Sequence, residues 1–456
     1  MVAAIPRDEI VGIDERTPVL DGRWVPYVNL DNAATTPALR SVVDAVADLL
    51  PIYGSVHRGT GYKSRVTTAA YEKARQMVGA FVGADPVRDV VVFGKNTTDA
   101  VNMLAGSLAV EPGSVVLTTL LEHHSNDLPW RDRARVVHVG ARSDGTLDED
   151  DLDRLLARHA GRVALAAVSG ASNVTGVVPP VHAIAERVHA AGGRILVDAA
   201  QLAAHCRIDM RPHDDPGHLD FVVLSAHKAY APFGTGALIG RRDGLGARPY
   251  QPGGGTVRAV TVADVLWADL PDRHEGGSPN VVGAVALAAA VTRLAEVGLD
   301  RIADHEQALV GYALARLAGI PGLRLYGPVG AGAAAGKVGV VPFTLDGLDP
   351  ALVAAVLAYE HGIGVRSGCF CAQPYIAHLL GYTPAEVLSS GAAGGVLGTV
   401  RISLGAYNDT GDLERAVEAL ALVAAGEVLG TYDPAPDGSW APRGFREPAA
   451  AVAVAG

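Results

Sequence analysis

The chain has 456 residues, of which 49% are hydrophobic and 19% charged, and its formal net charge is −11. This length predicts about two domains or one large one, and an acidic chain without a basic stripe is not expected to bind nucleic acid. The first residues carry charges at Arg7, Asp8 and Glu9 instead of an apolar signal core, and no apolar run is long enough to span a bilayer. Three cysteines do not make a disulfide framework, which favours a reducing, cytoplasmic location.

The N-terminal residues 1–28 are predicted to form an arm, because prolines interrupt them repeatedly. The first helix is expected directly after Thr36 and Pro37. Threonine caps helices and proline suits the first helical position. Apolar residues then recur at helical spacing from Leu39 to Leu50.

The middle of the chain alternates helical patterns with short apolar strands. Most of these strands are apolar on both faces, as expected where helices cover both sides of a sheet. We therefore predict a large α/β domain over residues 29–285, with a mainly parallel sheet. The predicted strands are Val90–Phe93, Val115–Thr118, Val136–Val139, Val163–Val168, Ile195–Val197, Phe221–Leu224 and Gly236–Ile239.

The C-terminal part is predicted to form a smaller α+β domain over residues 286–430, which an amphipathic helix opens. Residues 431–456 are rich in proline, alanine and glycine and are expected to form a loosely ordered tail. The strand candidates of the smaller domain are Val338–Leu345 and Val400–Leu404.

Two charged residues follow neighbouring strands of the large domain, at the sheet edge where ligands of α/β proteins bind. Asp198 follows one strand, and Lys228 follows the next, one helix-plus-strand unit later. A carboxylate there can keep a pyridine nitrogen protonated, and a lysine can form an imine with an aldehyde cofactor. Asp198 alone is also explained by a cap or a salt bridge. Lys228, flanked by hydrogen-bonding residues after a buried strand, departs from the surface position usual for lysine.

Hydroxyl and imidazole side chains near these strand ends are candidates for binding a phosphate. Ser225 and His227 flank Lys228, and Thr97 and Thr98 lie at the start of a helix. The free amides and the dipole of a helix N-terminus attract phosphate. Helix capping alone would also explain either threonine.

Two adjacent histidines, His123 and His124, follow another predicted strand. Paired histidines can bind a metal, but no cysteine or acidic ligand set at metal spacing accompanies them. Stacking of a flat imidazole on a pyridine ring is the interpretation in this context, and a structural role is the alternative. No metal is expected.

Taken together, these motifs resemble the class V aminotransferase fold of pyridoxal-phosphate (PLP) enzymes, fold type I, and within it the cysteine desulfurase and selenocysteine lyase branch of the SufS type. The resemblance covers roughly residues 28 to 425, and its specificity lies in the joint order of the segments. The matching segments are 30–37 (LDNAATTP), 56–59 (VHRG), 96–98 (NTT), 122–126 (EHHSN), 172–176 (SNVTG), 198–201 (DAAQ), 225–228 (SAHK), 275–280 (EGGSPN), 366–374 (RSGCFCAQP) and 400–403 (VRIS).

The resemblance implies a cofactor role for each matching position. Lys228 would hold PLP through a Schiff base and move the α-proton, Asp198 would pair with the pyridine nitrogen, and Gln201 would contact the ring oxygen. His123 would stack on the ring as a catalytic residue. The residues implied to hold the phosphate are Thr97, Thr98, Ser225, His227 and, from the neighbouring subunit of a homodimer with shared sites, Ser278.

The resemblance also implies how the substrate is held and cleaved. Asn173 and Arg401 would face it, and a guanidinium can grip its carboxylate through two parallel hydrogen bonds. Cys371 would attack the sulfur of L-cysteine, leaving alanine and a persulfide for a sulfur-acceptor protein. Only the thiolate is a good nucleophile, and His57 and Arg366 are the expected electropositive neighbours.

Departures from the family pattern leave alternatives open. Ala199 and Ser278 replace the usual glycine and threonine, and Cys369 replaces a histidine. Cys369 could resolve a persulfide, form a strained bridge or have no chemical role.

A cysteine desulfurase is the predicted function. The alternatives are another class V enzyme (selenocysteine lyase, carbon–sulfur lyase of specialised metabolism, epimerase or aminotransferase) and a silent sulfur carrier. The set of Asp198, Lys228 and Arg401 argues against the silent carrier.

Overall fold

The computed structural model describes residues 3–330, 332–392 and 397–446. The strands are β1 (Arg16–Pro18), β2 (Trp24–Pro26), β3 (Val28–Asn29), β4 (Asp89–Gly94), β5 (Val115–Thr119), β6 (Arg135–Val139), β7 (Val163–Ser169), β8 (Arg194–Asp198), β9 (Phe221–Ser225), β10 (Gly236–Arg241), β11 (Val257–Val260), β12 (Val265–Trp267), β13 (Leu323–Leu325), β14 (Val340–Leu345), β15 (Ile363–Gly364), β16 (Arg366–Gly368), β17 (Thr399–Ser403), β18 (Tyr432–Pro434) and β19 (Trp440–Pro442). The helices are α1 (Arg40–Leu49), α2 (Tyr62–Phe81), α3 (Thr97–Ser107), α4 (Leu128–Arg131), α5 (Glu149–Arg158), α6 (Val181–Ala190), α7 (Val281–Val297), α8 (Leu299–Leu317), α9 (Pro350–His361), α10 (Gln373–Leu380), α11 (Pro384–Ala392) and α12 (Thr410–Ala424).

The central sheet has the order β4-β10-β9-β8-β7-β5-β6. β6, β5, β7, β8 and β9 pair in parallel, and β10 runs antiparallel to both of its neighbours, β9 and β4. The prediction of an α/β fold with a mainly parallel sheet is therefore confirmed.

Alternating side chains of the central strands contribute to hydrophobic cores on opposite faces of the sheet. In β8, Ile195 and Val197 pack into the main core, whereas Leu196, which lies between them, packs into a core on the other face. Burying each such side chain contributes roughly 1.5–3 kcal/mol to folding. The continuous apolar runs that marked these strands in the sequence are thus explained by burial on both faces.

The smaller sheet lies in the C-terminal part, in the antiparallel order β13-β14-β17-β16. Its strands pack with α8, α9 and α12 around a separate core, to which Phe343 and Ile402 belong. α7, however, packs into the main core with residues such as Leu287, because its sequence is apolar almost all around. The change of packing from one core to the other lies within α8, between Ile302 and Leu309.

Both ends of the described chain attach to the body of the protein. The N-terminal arm pairs β3 with β15, and Arg7 donates to Asp412 over 2.9 Å. Near the other end, the N–H groups of Leu429 and Gly430 donate to Glu360. β18 and β19 form a hairpin where the sequence predicts a loose tail, and the remaining predicted tail, 447–456, lies outside the described residues.

Within the described ranges, no single helix is both long and apolar enough to cross a membrane. The pair α7 and α8 meets the length and composition test only when the two are taken together, and they meet at a bend of 75°.

Candidate active site

A cavity of about 510 Å³ lies at the carboxyl ends of the central strands, where residues of β16 and β17 close it from the small sheet. It brings together most of the residues that the sequence singled out. Those residues are Thr97, Thr98, His123, Asn173, Asp198, Gln201, Ser225, His227, Lys228, Arg366, Cys371 and Arg401.

Asp198 and Lys228 meet in this cavity because they follow adjacent parallel strands. β8 ends at Asp198, and a short 3₁₀ helix carries Lys228 directly after β9. Burial raises the pKa of Asp198. A hydrogen bond from the Ala200 N–H (2.9 Å) and the charge of Lys228 lower it by less than burial raises it. Burial lowers the pKa of Lys228 to about 8, although Asp198 opposes this shift. The lysine thus has a substantial neutral, nucleophilic fraction near neutral pH.

The loop before α1 holds the segment that carries Lys228. The Thr36 hydroxyl donates to the carbonyl oxygen of His227 (3.1 Å) and accepts the N–H of Tyr230 (2.7 Å). Thr36 was expected to cap a helix beginning at Pro37, but α1 begins at Arg40. The difference arises because the hydroxyl is used in this long-range contact.

Three of the five residues expected to bind phosphate, Thr97, Thr98 and Ser225, lie at or beside the start of α3. The Thr97 N–H donates to Ser225 Oγ (2.8 Å), and Ser225 Oγ donates to Thr97 Oγ1 (2.9 Å). Thr98 Oγ1 lies 2.7 Å from Ser125 Oγ. A side chain at Gly236 would come within 2.6 Å of the Asn96 backbone, so only glycine allows β10 to pass this close beneath the group.

His123 is neutral in the cavity. Burial, and then the charge of Lys228, lower its pKa to about 3, and its Nδ1 accepts the N–H of Ser125 (3.1 Å). A neutral ring with one nitrogen already used suits stacking better than proton transfer.

Glu122, next to His123, is a buried residue to which the sequence reasoning gave no role. Its carboxylate accepts hydrogen bonds from Thr119, Asn126 and both the N–H and hydroxyl of Ser169. Burial raises the pKa of Glu122 to about 7, although these hydrogen bonds lower it. The carboxylate ties the histidine loop to the end of β7. The sequence could have indicated a role for Glu122, because Glu122 is the first residue of the matched segment 122–126.

Arg401 is buried, with a relative exposure of 2%, and is held from three sides. Its Nη2 donates to Asp31 Oδ1 (3.0 Å), its Nη1 donates to the carbonyl oxygen of Asn173 (2.9 Å), and its guanidinium lies 4.5 Å from the Phe370 ring centroid. Burial lowers the pKa of Arg401 to about 10, so it stays charged at neutral pH. Its Nε is buried without a hydrogen-bond partner among the described residues.

Asp31 links Arg401 to Arg366, whose Nε donates to Asp31 Oδ2 (3.1 Å). Asn173 Nδ2 in turn donates to the carbonyl oxygen of Phe370 (2.8 Å). Asp31 and Phe370 lay inside matched segments but were assigned no role, since these contacts join residues far apart in the chain.

Cys371 lies on an exposed turn that reaches into the cavity. The N–H of Ala372 donates to the carbonyl oxygen of Cys369 (2.9 Å). The N–H of His124 donates to the carbonyl oxygen of Cys371 (2.7 Å). The two central residues, Phe370 and Cys371, have φ of 54° and 55°, the φ signs of a type I′ turn. Cys371 is exposed and Cys369 partly buried.

His57 and Ser278 are the two expected site residues that the structure does not bring into this cavity. Both are exposed and line a second cavity of about 350 Å³. The main-chain N–H of His57 donates to Thr68 Oγ1 (2.9 Å), and its Nε2 lies 3.0 Å from Glu72 Oε1. These contacts with α2 keep His57 away from Cys371 of the same chain.

The donor set of the main cavity contains no metal centre. In the part of the chain that the structure describes, no three or more His, Cys, Asp or Glu residues are placed to hold a metal ion. The cavity instead combines a buried carboxylate, a lysine, a hydroxyl-rich helix start, a guanidinium and an exposed thiol. This arrangement can hold a phosphorylated ring and an amino acid beside a nucleophile.

Comparison with known proteins identifies the family. The family model of aminotransferase class V matches residues 28–416. A cysteine desulfurase of Haloferax volcanii is 35% identical over 421 residues, which cover 90% of this chain and 92% of the relative. One from Dickeya dadantii is 36% identical, covering 87% and 91%. The apo structure of a cysteine desulfurase from Thermococcus onnurineus NA1 has a TM-score of 0.77 at 31% identity, covering 88% of this chain and 95% of that one. The S-sulfonic acid form of an Escherichia coli cysteine desulfurase has a TM-score of 0.76 at 28% identity, covering 93% and 98%. The resemblance predicted from the motifs is confirmed: the chain belongs to the aminotransferase class V family, in the branch that contains these cysteine desulfurases.

Proposed function

We propose that the protein is a PLP-dependent cysteine desulfurase, which converts L-cysteine to L-alanine and keeps the sulfur as a persulfide on Cys371. The observation that carries this proposal is the meeting of Cys371, Lys228 and Asp198 in one cavity. The activity named for the relatives supports the same substrate. A class V enzyme without persulfide chemistry would not need an exposed thiol at this position.

The residues of the cavity fit PLP. Its volume lies within the roughly 300–1,000 Å³ typical of cofactor sites, Thr97 and Ser225 form a phosphate cradle, and Asp198 is a buried carboxylate facing Lys228. When bound, PLP would supply an aldehyde for the amine of the substrate and a ring that accepts electron pairs from its carbons. Asp198 would hold the proton on the ring nitrogen, and His123 would cover the ring.

Lys228 and Arg401 are assigned the handling of the substrate. The pKa of Lys228, about 8, lets its amine take and return a proton at the α-carbon near neutral pH. Arg401, which lines the cavity, would bind the substrate carboxylate, while Asp31 and Asn173 keep the guanidinium in place. A buried, oriented cation is preorganised for a carboxylate, so little reorganisation accompanies binding.

Cys371 is assigned the sulfur transfer. Its thiolate attacks the sulfur of the substrate, and the carbon–sulfur bond breaks with its electron pair remaining on carbon. Protonation of that carbon gives alanine, and the sulfur stays on Cys371. Burial lowers the pKa values of Lys228 and Arg401, and the charge of the nearby Cys371 opposes both shifts. The same cations attract a thiolate, the reactive form of cysteine.

We further propose a homodimer with shared sites, in which Ser278 and His57 serve the cavity of the partner subunit. Their exposure on a second cavity of the single chain supports this assignment. A protein thiol is the proposed sulfur acceptor, reached through the exposed Cys371. Free cysteines throughout the chain support a reducing, cytoplasmic location.

The test is the release of alanine and sulfide from L-cysteine by the PLP-loaded protein, with and without a reductant. We expect wild type to form both products and Cys371→Ala to form neither. Cys206→Ala is the matched control, because Cys206 lies outside the described lining of the cavity. Equal alanine formation by Cys371→Ala would instead indicate a lyase that does not use this cysteine. Absence of any reaction in wild type would refute L-cysteine as the substrate.

A further inference from the structure

A second thiol shares the cavity with Cys371. Cys369 also lines it, is partly buried, and packs against the main core. The remaining cysteine, Cys206, follows β8 and the loop beyond it, and burial raises its pKa to about 12. The proposed desulfurase step uses Cys371 alone and leaves Cys369 without a chemical role.

The turn brings these two cysteines close together. Two residues apart in an extended chain, their Cα atoms would be separated by about 7 Å. The hydrogen bond from the Ala372 N–H to the Cys369 carbonyl oxygen folds the chain back within four residues and shortens this separation. Disulfide-bonded cysteines have Cα atoms roughly 4.4–6.8 Å apart, so a Cα separation shortened below about 7 Å is compatible with transfer between the two sulfurs.

The shape of the turn is enforced by its surroundings. Phe370 and Cys371 are consecutive left-handed residues that are not glycine, and each such residue costs about 1–2 kcal/mol. Such conformations persist only where neighbouring contacts hold them. The Asn173 side chain donates a hydrogen bond to the carbonyl oxygen of Phe370, and the N–H of His124 donates one to the carbonyl oxygen of Cys371. These two contacts therefore hold the chain in the turn in place of an extended strand.

We propose that Cys369 is a second sulfur carrier, which takes the outer sulfur of the persulfide from Cys371 inside the turn. The proposal rests on the proposed function of Cys371. The Cys369 thiolate attacks the outer sulfur, a new sulfur–sulfur bond forms on Cys369, and the bond to Cys371 breaks with its electron pair returning to Cys371 as thiolate. The proton that left Cys369 goes to solvent, and the net oxidation state of sulfur is unchanged, so no external oxidant or reductant is needed.

The transfer frees Cys371 for a second substrate molecule before any acceptor arrives. Because Cys369 is less exposed than Cys371, the stored sulfur is also better shielded from small thiols in solution. The expected consequence is a change in stoichiometry: each subunit retains about two sulfurs in place of one before turnover requires an acceptor, visible as a burst of product.

The experiment measures the burst of alanine per subunit when PLP-loaded enzyme is mixed with L-cysteine without added reductant. Wild type, Cys369→Ser, Cys369→Ala and Cys371→Ser are compared, with Cys206→Ser as the control. In parallel, persulfides are trapped by alkylation and the protein is cut with chymotrypsin after Phe370, which separates the two cysteines for mass spectrometry. Thermal unfolding and PLP absorbance verify that each variant is folded and loaded.

We expect a burst of about two alanines from wild type and the Cys206 control, and about one from both Cys369 variants. Extra sulfur should appear on both Cys369 and Cys371 of wild type and should be absent from Cys369 of Cys371→Ser. A wild-type burst of one alanine with sulfur on Cys371 alone overturns the relay while leaving the proposed function intact. Sulfur on Cys369 in Cys371→Ser also overturns it, since Cys369 would then attack substrate directly. A full burst in Cys371→Ser with no extra sulfur on Cys369 refutes the proposed function itself.

Discussion

At the scale of single residues, the chemistry of Lys228 depends on its pKa. Burial disfavours the ammonium form and lowers that pKa to about 8, whereas an exposed lysine titrates near about 10.4. Only the neutral amine attacks an aldehyde. We therefore expect the rate of imine formation between the PLP-free protein and added PLP to rise with pH, to be half-maximal near pH 8 and to level off above. Absorbance after rapid mixing at a series of pH values measures this rate.

Lys337 offers the matched control for this pH profile. Burial lowers the pKa of Lys337 to about 8 as well, and its Nζ donates to the carbonyl oxygen of Pro328 away from the cavity. Lys337→Met should leave the profile unchanged, and Lys228→Ala should abolish imine formation. A midpoint near that of a free lysine would mean that the amine is exposed when it reacts.

Arg401 is expected to act on substrate binding through the planar fork of its guanidinium. Arg401→Lys keeps the charge but cannot hold Asp31, Asn173 and a carboxylate together. Losing one charged hydrogen bond, worth about 1.5–3 kcal/mol, should lower kcat/KM for L-cysteine by roughly 10- to 100-fold, mostly through KM. Steady-state kinetics measures both constants, with Arg316→Lys, exposed on α8, as the control. A fall confined to kcat would instead mean that Arg401 mainly supports the Phe370 turn.

At the scale of elements, the buried strands were predictable and the beginning of α1 was not. Every strand of the central sheet lies within two residues of its predicted ends, because burial on both faces leaves a local apolar run that is bounded by polar residues. Thr36 had a good local reason to cap a helix. Its hydroxyl contacts His227 and Tyr230, almost two hundred residues away, and no local pattern reports such a contact.

That long-range contact can be tested by removing one hydroxyl. Thr36→Val preserves shape but leaves the buried Tyr230 N–H without its acceptor, which costs about 1–3 kcal/mol. We expect Thr36→Val to unfold at a lower temperature than wild type at the same PLP concentration. Thr36→Ser, which keeps the hydroxyl, should unfold at nearly the wild-type temperature. Thr35 also donates to the His227 carbonyl oxygen but is exposed, so Thr35→Val should have little effect. Equal losses in the two valine variants would contradict a specific role for Thr36.

At the scale of the whole molecule, the sequence located the site but not how its parts support one another. Asp198 and Lys228 could be paired in advance because adjacent parallel strands bring their carboxyl ends to one edge. The links of Asp31 to Arg366 and Arg401, and of Asn173 to Phe370, depend on how the two sheets dock. The hairpin of β18 and β19 was missed because its proline- and glycine-rich composition is also that of a loose tail.

The position of Ser278 is the feature of the whole molecule with the clearest test. It lies outside the cavity that contains Lys228 of the same chain and is exposed on a second cavity. If two copies related by twofold symmetry complete each other's sites, Lys228→Ala inactivates the site of its own chain and Ser278→Trp obstructs the site of its partner. Each variant alone should then form inactive dimers.

A mixed dimer of these two variants separates the alternatives. It contains one site in which Lys228 comes from the Ser278→Trp chain and the unaltered Ser278 comes from the Lys228→Ala chain, while both changes fall in the other site. Co-expressed with different tags and purified through both, such dimers should recover about half of the wild-type activity per dimer, because one of two symmetric sites is intact. If Ser278 serves its own chain, both sites of the mixed dimer carry one change each, and no activity returns. Recovery of activity would thus show that the active site is completed only when two copies of the chain associate.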